Sequence, residues 1–464
     1  HSNLTLSNNM NFNNEKDWKR SHGNHSSNKF SNLTQINKKN VSSLEVAWTY
    51  TFDEKGDIPG NPIYYEGTLY LSSTKNSVVA LNVSNGEKKW EFKTEDMAAR
   101  RGLLINEKDS KIYFCDQKNL ISLNSIDGTL NKTFGNGGKI KLKKNCQITP
   151  VIIENKIIIG TFEPSIEVYD LKKGELLWRF YLKEKNNSYF RYGGKRYDYS
   201  GGNPWGGISA DLKRKILYIS TGNAGRFYDG INRPGKNKYS NSIIALDIEN
   251  KKLLWEFQEI EHDIWNYDIA SPPILTSIIL NNNKIDVVVT PTKYGNTLVL
   301  DRLNGENIFG YIEKKAPLSN IPGEKTSFYQ KEFKLPENFS NKYFKENHIT
   351  NISKESEIYI KNKIKDATYG FFVPHSTDKQ NIIYRGGAQW MGASIDNNSS
   401  IMYLTSNDIP VMIKLKKINS DSYYNYSFSY EFLVDQNGYP GSKPPWGRLT
   451  AIDLNTGIKI WEIP

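Results

Sequence analysis

The chain has 464 residues, a formal charge of +11, 38% hydrophobic and 12% aromatic residues, and two cysteines. That length suggests about three domains, although all-β folds often exceed the scale as one unit. No apolar run approaches the roughly 18 residues a membrane helix needs. The two distant cysteines, Cys115 and Cys146, exclude a disulfide framework and a cysteine-rich zinc site and leave the compartment open.

The basic charge is scattered in pairs such as Lys88-Lys89, Lys172-Lys173 and Lys251-Lys252. No basic-aromatic recognition motif accompanies it, so it reads as codon bias toward Asn, Lys and Ile, not as a nucleic-acid footprint. No secretory leader is visible, and a start at His1 is compatible with a leader or anchor having been removed.

In chain order, residues 1–17 are polar and Asn-rich and read as a disordered lead-in. After that one pattern recurs. A β-rich run ends in an apolar residue and Asp or Asn, a turn with Gly follows, and the next strand ends in Trp or Phe. The copies are Asn82 with Gly86 and Trp90, Asn124 with Gly128 and Phe134, Asp170 with Gly174 and Trp178, Asp247 with Trp255, Asp301 with Gly305, and Asp453 with Gly457 and Trp461. The first three glycines lie 42 and 46 residues apart. That period predicts one four-stranded propeller blade per repeat. Asx opens the turn through its own backbone, Gly supplies positive φ, and the Trp wedges between neighbouring sheets.

Later spacing is uneven: Trp178 to Trp255 is 77 residues, and Gly305 to Gly457 is 152. The segment at about 317–364 is rich in Lys, Glu and Asn, and we read it as an inserted lobe with helix near Ser353–Lys365. Residues 18–464 then form one propeller. Its densest polar loop is Glu261-His262-Asp263-Ile264-Trp265-Asn266-Tyr267-Asp268, between a strand ending at Phe257 and the Val287–Val289 run. Loops on rigid scaffolds carry sites, although clustered polar groups also make ordinary turns.

These pieces, in this order, resemble the PQQ-dependent dehydrogenases (quinoproteins), most closely the membrane-bound glucose and quinate dehydrogenase branch. The matching stretches are Asp17-Trp18, Leu33–Asn37, Ala47–Tyr50, Arg101-Gly102, Phe134-Gly135, Trp205–Ser209, Thr221–Asn223, His262–Asp268, Pro291–Asn296, Leu300–Arg302 and Gly386–Trp390. The resemblance implies an all-β, eight-bladed β-propeller of four-stranded sheets with a quinone cofactor near the axis. It also implies oxidation of a sugar, polyol or other alcohol, with electrons passed to membrane quinone in the periplasm and inner-membrane association through a segment outside this chain. The ring reads as incomplete in its last blade, either because the chain is a fragment or because it closes differently.

By the same resemblance Trp205 is the floor on which PQQ stacks, and Arg101 and Lys293 pair with its carboxylate and quinone oxygens. Thr149, Asn203, Gln389 and Trp390 complete the cofactor set. Asn223 is an oxygen ligand to calcium, another divalent metal or a lanthanide; Glu163 is preferred over Glu167 as the carboxylate ligand, and Asp268 adds a further one. Such oxygen donors suit a hard cation. Two positions depart from the family. The general-base aspartate is replaced by Asn266, which leaves Asp268 as a displaced base or a metal ligand, with Asp263 capping the loop. Lys75 stands where sugar-oxidising relatives carry a histidine. An amide is not a usable base near neutral pH, so the alternative reading is a propeller that binds cofactor or partner, or acts as a scaffold, with turnover impaired or lost.

Overall fold

The computed structural model describes residues 17–58, 60–184, 201–418 and 426–464, and the backbone alone of 190–192 and 195–197. Four antiparallel four-stranded sheets follow one another. Blade 1 is Ile63–Tyr65, Thr68–Ser72, Ser77–Asn82 and Lys88–Lys93. Blade 2 is Leu104–Asn106, Lys111–Cys115, Gln117–Asn124 and Lys139–Cys146. Blade 3 is Val151–Ile153, Lys156–Thr161, Ser165–Asp170 and Leu176–Tyr181. Blade 4 is Gly207–Asp211, Ile216–Ser220, Ser242–Asp247 and Lys252–Gln258. Blade 5 has three strands, Ile274–Leu280, Asn283–Pro291 and Thr297–Asp301. Blade 6 is built on the 17-residue strand Ile401–Lys417, which pairs with Ser394–Asp396 and with Gly447–Asp453, itself paired to Ile458–Ile463. The far half of the long strand leaves the blade and pairs instead with Asn381–Ala388 and Tyr426–Phe432. Residues 1–16, most of the stretch read as a disordered lead-in, lie outside the described residues.

The repeat read from sequence is a docking device. The amide of each turn glycine donates to the Asx carbonyl four residues earlier: Gly86 to Asn82 at 2.8 Å, Gly128 to Asn124 at 2.9 Å, Gly174 to Asp170 at 2.9 Å, Gly305 to Asp301 at 2.9 Å and Gly457 to Asp453 at 2.7 Å. At three of these turns the glycine also receives a tryptophan from earlier in the chain. A β-carbon on Gly86, Gly128 or Gly305 would lie 2.5–2.6 Å from the indole of Trp48, Trp90 or Trp255 respectively. Each of those indole N–H groups donates to the carbonyl three residues before the glycine, Val83 at 2.9 Å, Ser125 at 3.0 Å and Arg302 at 3.1 Å. Glycine therefore serves both its positive φ, +71° to +77° at these turns, and the close approach of the ring. In the Asp247 turn the equivalent position is Lys251 at φ +55°.

Residues 18–28 thread the place where the first strands of the blades converge. Backbone bonds join them to Tyr64, Leu103, Ala210, Leu275 and Ile395 in turn. Arg20 is buried there, donating to the carbonyls of Pro150, Thr149 and Ile208 and to Ser27 Oγ. A buried guanidinium needs such a set of acceptors. Burial pushes its pKa down to about 9.

Within the 317–364 segment, Tyr329–Glu332 pairs with Ile312–Lys315, and one helix, α1, spans Lys354–Ile364. Ser353 caps it by accepting from the Ser356 amide, as the Ser-x-x-Ser spacing and the Glu-rich first turn favour. The sequence reading left the pairing of the two cysteines unassigned. They form one disulfide, with Cα atoms 5.8 Å apart, because the pairing of Gln117 with Cys146 returns the last strand of blade 2 to the end of its second.

Candidate functional site

The site collects at the ends of the inner strands of blades 3 to 6, around a cavity of about 520 Å³. Trp205 enters it from the turn before Gly207–Asp211 and accepts order from Asn203, whose Oδ1 takes the Trp205 amide at 3.2 Å. Its indole N–H donates to Asp268 Oδ1 at 3.1 Å, and the Asn223 amide donates to the same oxygen at 2.9 Å. Gly222 makes this convergence possible, because a β-carbon there would sit 2.5 Å from both Asp268 Oδ1 and Trp205 Nε1. Lys293 Nζ donates to Asp268 Oδ2 at 2.7 Å, with the two side chains 9% and 8% exposed. The Lys293 turn is itself pressed against Gly387, where a β-carbon would come within 2.2 Å of the Lys293 carbonyl.

The aromatic wall is completed by Trp390, edge-on to Trp205 at 5.2 Å between centroids. Arg101 lies 4.7 Å from the centroid of Trp205 and 5.6 Å from that of Trp390, and donates to the Trp390 carbonyl at 3.0 Å. Burial and the adjacent Arg100 push its pKa down to about 10, against the opposing pull of Asp268. Asn266, at φ +62°, lines the cavity and lies beside the Tyr228 hydroxyl, whose pKa burial raises to about 12 against the opposing effect of Asn266. Asparagine tolerates that left-handed conformation better than most residues.

The structure thus brings Trp205, Asn203, Asn223, Asn266, Asp268, Lys293 and Trp390 to one cavity, with Arg101 stacked on its wall. It does not bring Thr149, Gln389 or Glu163 into the wall. The Thr149 hydroxyl is buried and donates to the Arg101 carbonyl at 2.7 Å, so it braces the arginine's backbone. Gln389 is exposed. Glu163 stands between Phe162 and Pro164, which both line the cavity. Glu167 is settled differently from the solvent-facing position that strand alternation suggests: it is buried, held by Arg179 at 2.7 Å and by the Tyr169 hydroxyl. Lys75 is 62% exposed, 3.6 Å from Glu54, and away from the cavity. Asp263 caps its loop, accepting from the amides of Trp265 at 2.7 Å and Tyr267 at 2.8 Å and from Asn241 at 2.9 Å.

Sequence reasoning passed over Phe162, Arg226, Phe227 and Arg385, all in the cavity wall. Arg385 directly precedes the Gly386-Gly387 pair and Arg226 follows Asn223 by three residues, so proximity to motif residues was the available signal.

A flat aromatic polyanion fits this chemistry: two indoles offer apolar faces, and Arg101, Lys293 and Arg385 offer cations against a single wall carboxylate, Asp268. For a hard cation the donors are the Asn223 amide and the Asp268 carboxylate. Asn223 Nδ2 is buried without a hydrogen-bond partner, a donor that an acceptor oxygen of a bound organic group would satisfy and a cation would not. Among the described residues no three His, Cys, Asp or Glu side chains cluster as a preformed metal site.

A family model described as "PQQ: Glucose/ethanol/alcohol dehydrogenase, beta-propeller domain" matches residues 18–464. The chain is 26% identical to the quinoprotein glucose dehydrogenase of Escherichia coli (strain K12), over 97% of this chain and 66% of that protein. It is 23% identical to the quinate/shikimate dehydrogenase (quinone) of Acinetobacter baylyi, over 94% of this chain and 64% of that protein. It spans about two thirds of the length of these relatives. Among solved structures, the quinohemoprotein alcohol dehydrogenase of Comamonas testosteroni superposes with a TM-score of 0.68 at 20% identity, covering 98% of this chain and 68% of that one.

Proposed function

We propose that this chain, which belongs to the PQQ glucose/ethanol/alcohol dehydrogenase β-propeller family, oxidises a sugar, polyol or other alcohol in the cavity floored by Trp205. The observation that carries the reading is the convergence of Trp205, Asn223 and Lys293 on the one carboxylate of the cavity wall, Asp268. PQQ, when bound, supplies the two-electron acceptor for the alcohol carbon. Trp205 offers the stacking face, Arg101 and Lys293 offer cations to its oxygens, and Asn223 and Asp268, with Glu163 beside the wall, offer oxygen donors to calcium or a related hard cation.

The chain's own contribution is to orient and to hold a proton. Asn266 has no acceptor of suitable basicity, and Asp263 is spent on backbone amides. Asp268 is then the group that receives the alcohol proton, through Oδ2, the oxygen facing Lys293. Trp205 Nε1 and the Asn223 amide fix Oδ1 and so orient the carboxylate. Ligation of a metal by Asp268 would draw on the same oxygens, and the Lys293 contact keeps the carboxylate ionised and oriented.

A second reading, cofactor binding with turnover impaired, is favoured by one observation: the amide of Asn266 lines the cavity and is engaged with Tyr228. The disulfide supports an oxidising, periplasmic setting, with electrons delivered to membrane quinone.

The test is a titration of PQQ into calcium- or lanthanide-loaded protein, followed by tryptophan fluorescence and by dye-linked alcohol oxidation. Saturable quenching that disappears in Trp205→Ala is expected. A folded chain that shows no quenching with either ion would overturn cofactor binding, whereas quenching without dye reduction would select the second reading.

A further inference from the structure

A second cavity, of about 590 Å³, lies between the 332–348 segment and the two outer strands of blade 6. It shares no wall residue with the cavity of Trp205. Its wall carries Lys334, Lys342, Lys345, Arg448 and Lys459 against only Glu332 and Glu462. Both acids are already matched. Glu332 pairs with Lys314 at 2.9 Å, and Glu462 pairs with Arg448 at 3.1 Å and Lys459 at 2.7 Å. Arg448 is also bonded to the buried Asp408.

Lys334, Lys342 and Lys345 are left without an ion-pair partner among the described residues. Lys342 is the telling one, because it is only 9% exposed. Its Nζ donates to the Phe333 carbonyl at 2.8 Å, a neutral acceptor, and only the pull of Glu259 and Glu332, neither in direct contact, offsets the charge. Burying an ammonium in this way is costly unless an anion joins it. Two groups register the burial and the excess of positive charge. Burial pushes Lys342 down to about 8, against the pull of Glu259 and Glu332. Burial, with Lys345, Lys443 and Arg448, pushes the wall imidazole of His348 down to about 4.

We infer that this cavity binds a small organic polyanion with two or more carboxylate or phosphate groups, held by the buried Lys342 and the exposed Lys334 and Lys345. Ammonium groups on flexible stems suit several anionic groups at variable spacing, as point charges and not as a planar fork. The volume falls within the usual range for small-molecule sites, roughly 300–1,000 Å³.

The experiment is isothermal titration and thermal unfolding with citrate and, separately, inorganic pyrophosphate as probes, against sodium chloride of matched ionic strength. Saturable binding of one probe per chain is expected, with a rise in Tm that chloride does not reproduce. Lys334→Ala/Lys345→Ala alters only exposed residues, and it and Lys342→Met should each weaken binding by at least about tenfold, the scale of a charge-assisted contact. Binding of citrate alone would assign a carboxylate ligand, and binding of pyrophosphate alone a phosphate ligand. No saturable heat with either probe, an equal response to chloride, or full binding in the double variant would each overturn the site.

Discussion

The stretch Glu261–Asp268 carries a buried acid–base pair at each end, and the two are used differently. At one end His262 Nε2 meets Glu324 Oε1 at 2.6 Å, with the side chains 1% and 2% exposed. At the other, Asp268 meets Lys293 at 2.7 Å with 8% and 9% exposed. The first pair is closed in. A β-carbon at Gly230 would come 2.3 Å from His262 Nε2, the Gly230 amide donates to Glu324 Oε2 at 2.6 Å, and His262 Nδ1 bonds the Gly235 carbonyl at 2.8 Å. It fastens the site loop to the 317–364 segment. The second pair opens on a ligand-sized cavity. Near-equal distances thus accompany a clamp in one case and, in the proposed function, a reactive group in the other, and access is what distinguishes them.

The largest expected effect separates the pairs by activity. Asp268→Asn keeps an acceptor for Trp205 and the Asn223 amide but removes the proton-accepting oxygen. Turnover in the dye-linked assay should fall by about 10²–10⁴, the usual cost of losing a general base. PQQ affinity should change far less. If Asp268→Asn retained turnover, the open pair would be no more chemical than the closed one.

Next, His262→Ala should act on stability. Removing one partner of a buried pair costs about 3–5 kcal/mol because the other charge is left stranded. Unfolding in urea should show that loss while kcat of the folded fraction stays unchanged. Burial raises the Glu324 pKa, but the His262 bond and charge outweigh it and hold the carboxyl below its usual range. A depressed carboxylate contributes stability above its unfolded pKa and loses it as pH falls through the lower folded value. Acid unfolding of wild type should therefore contain a component below about pH 4.5 that Glu324→Gln lacks. An unchanged acid limb in that variant would remove the clamp.

A third carboxylate lies between these cases. Glu259 is buried and accepts from Thr292 Oγ1 at 2.9 Å and Asn296 Nδ2 at 2.6 Å, so it braces the turn that presents Lys293. Burial pushes its pKa up to about 7, against those two bonds and the pull of Lys342. The sign is opposite to that of Glu324. Stability is fully present below the unfolded pKa and declines as pH rises through about 7. Glu259→Gln should flatten the stability profile between those limits, by at most about 3 kcal/mol. An unaltered slope would mean that the carboxyl is compensated elsewhere.

Much of this was legible in the sequence because it is local. The Asx-to-Gly turns and their tryptophans recur with a period, and each turn is closed within four residues. Trp205, Asn223, Asp268 and Lys293 stood in motifs whose order was enough to bring them together. What escaped depends on contacts distant in sequence. Glu324 lies 62 residues from His262, the cysteines are 31 apart, and Arg385 lines the cavity from the strand Asn381–Ala388. Glu167 escaped for another reason. Its alternation in the strand was visible, but its partner Arg179 sits on the neighbouring strand, and only that partner explains why a carboxylate is buried there.

The smallest expected effect is also the sharpest on mechanism. Asn266 lines the same cavity as Asp268 but holds φ +62° and engages Tyr228. Asn266→Asp places a second carboxylate in a wall that now has one. Like charges sharing a site raise the pKa of one of them, so the new group would start protonated beside an oriented Asp268 and add little. Turnover should rise by no more than about tenfold, a fraction of the range general bases contribute. A gain of about 10² or more would instead show that position 266 is where the proton must be taken. Asp268 would then join His262 as a structural partner, and both ends of the loop would be clamps.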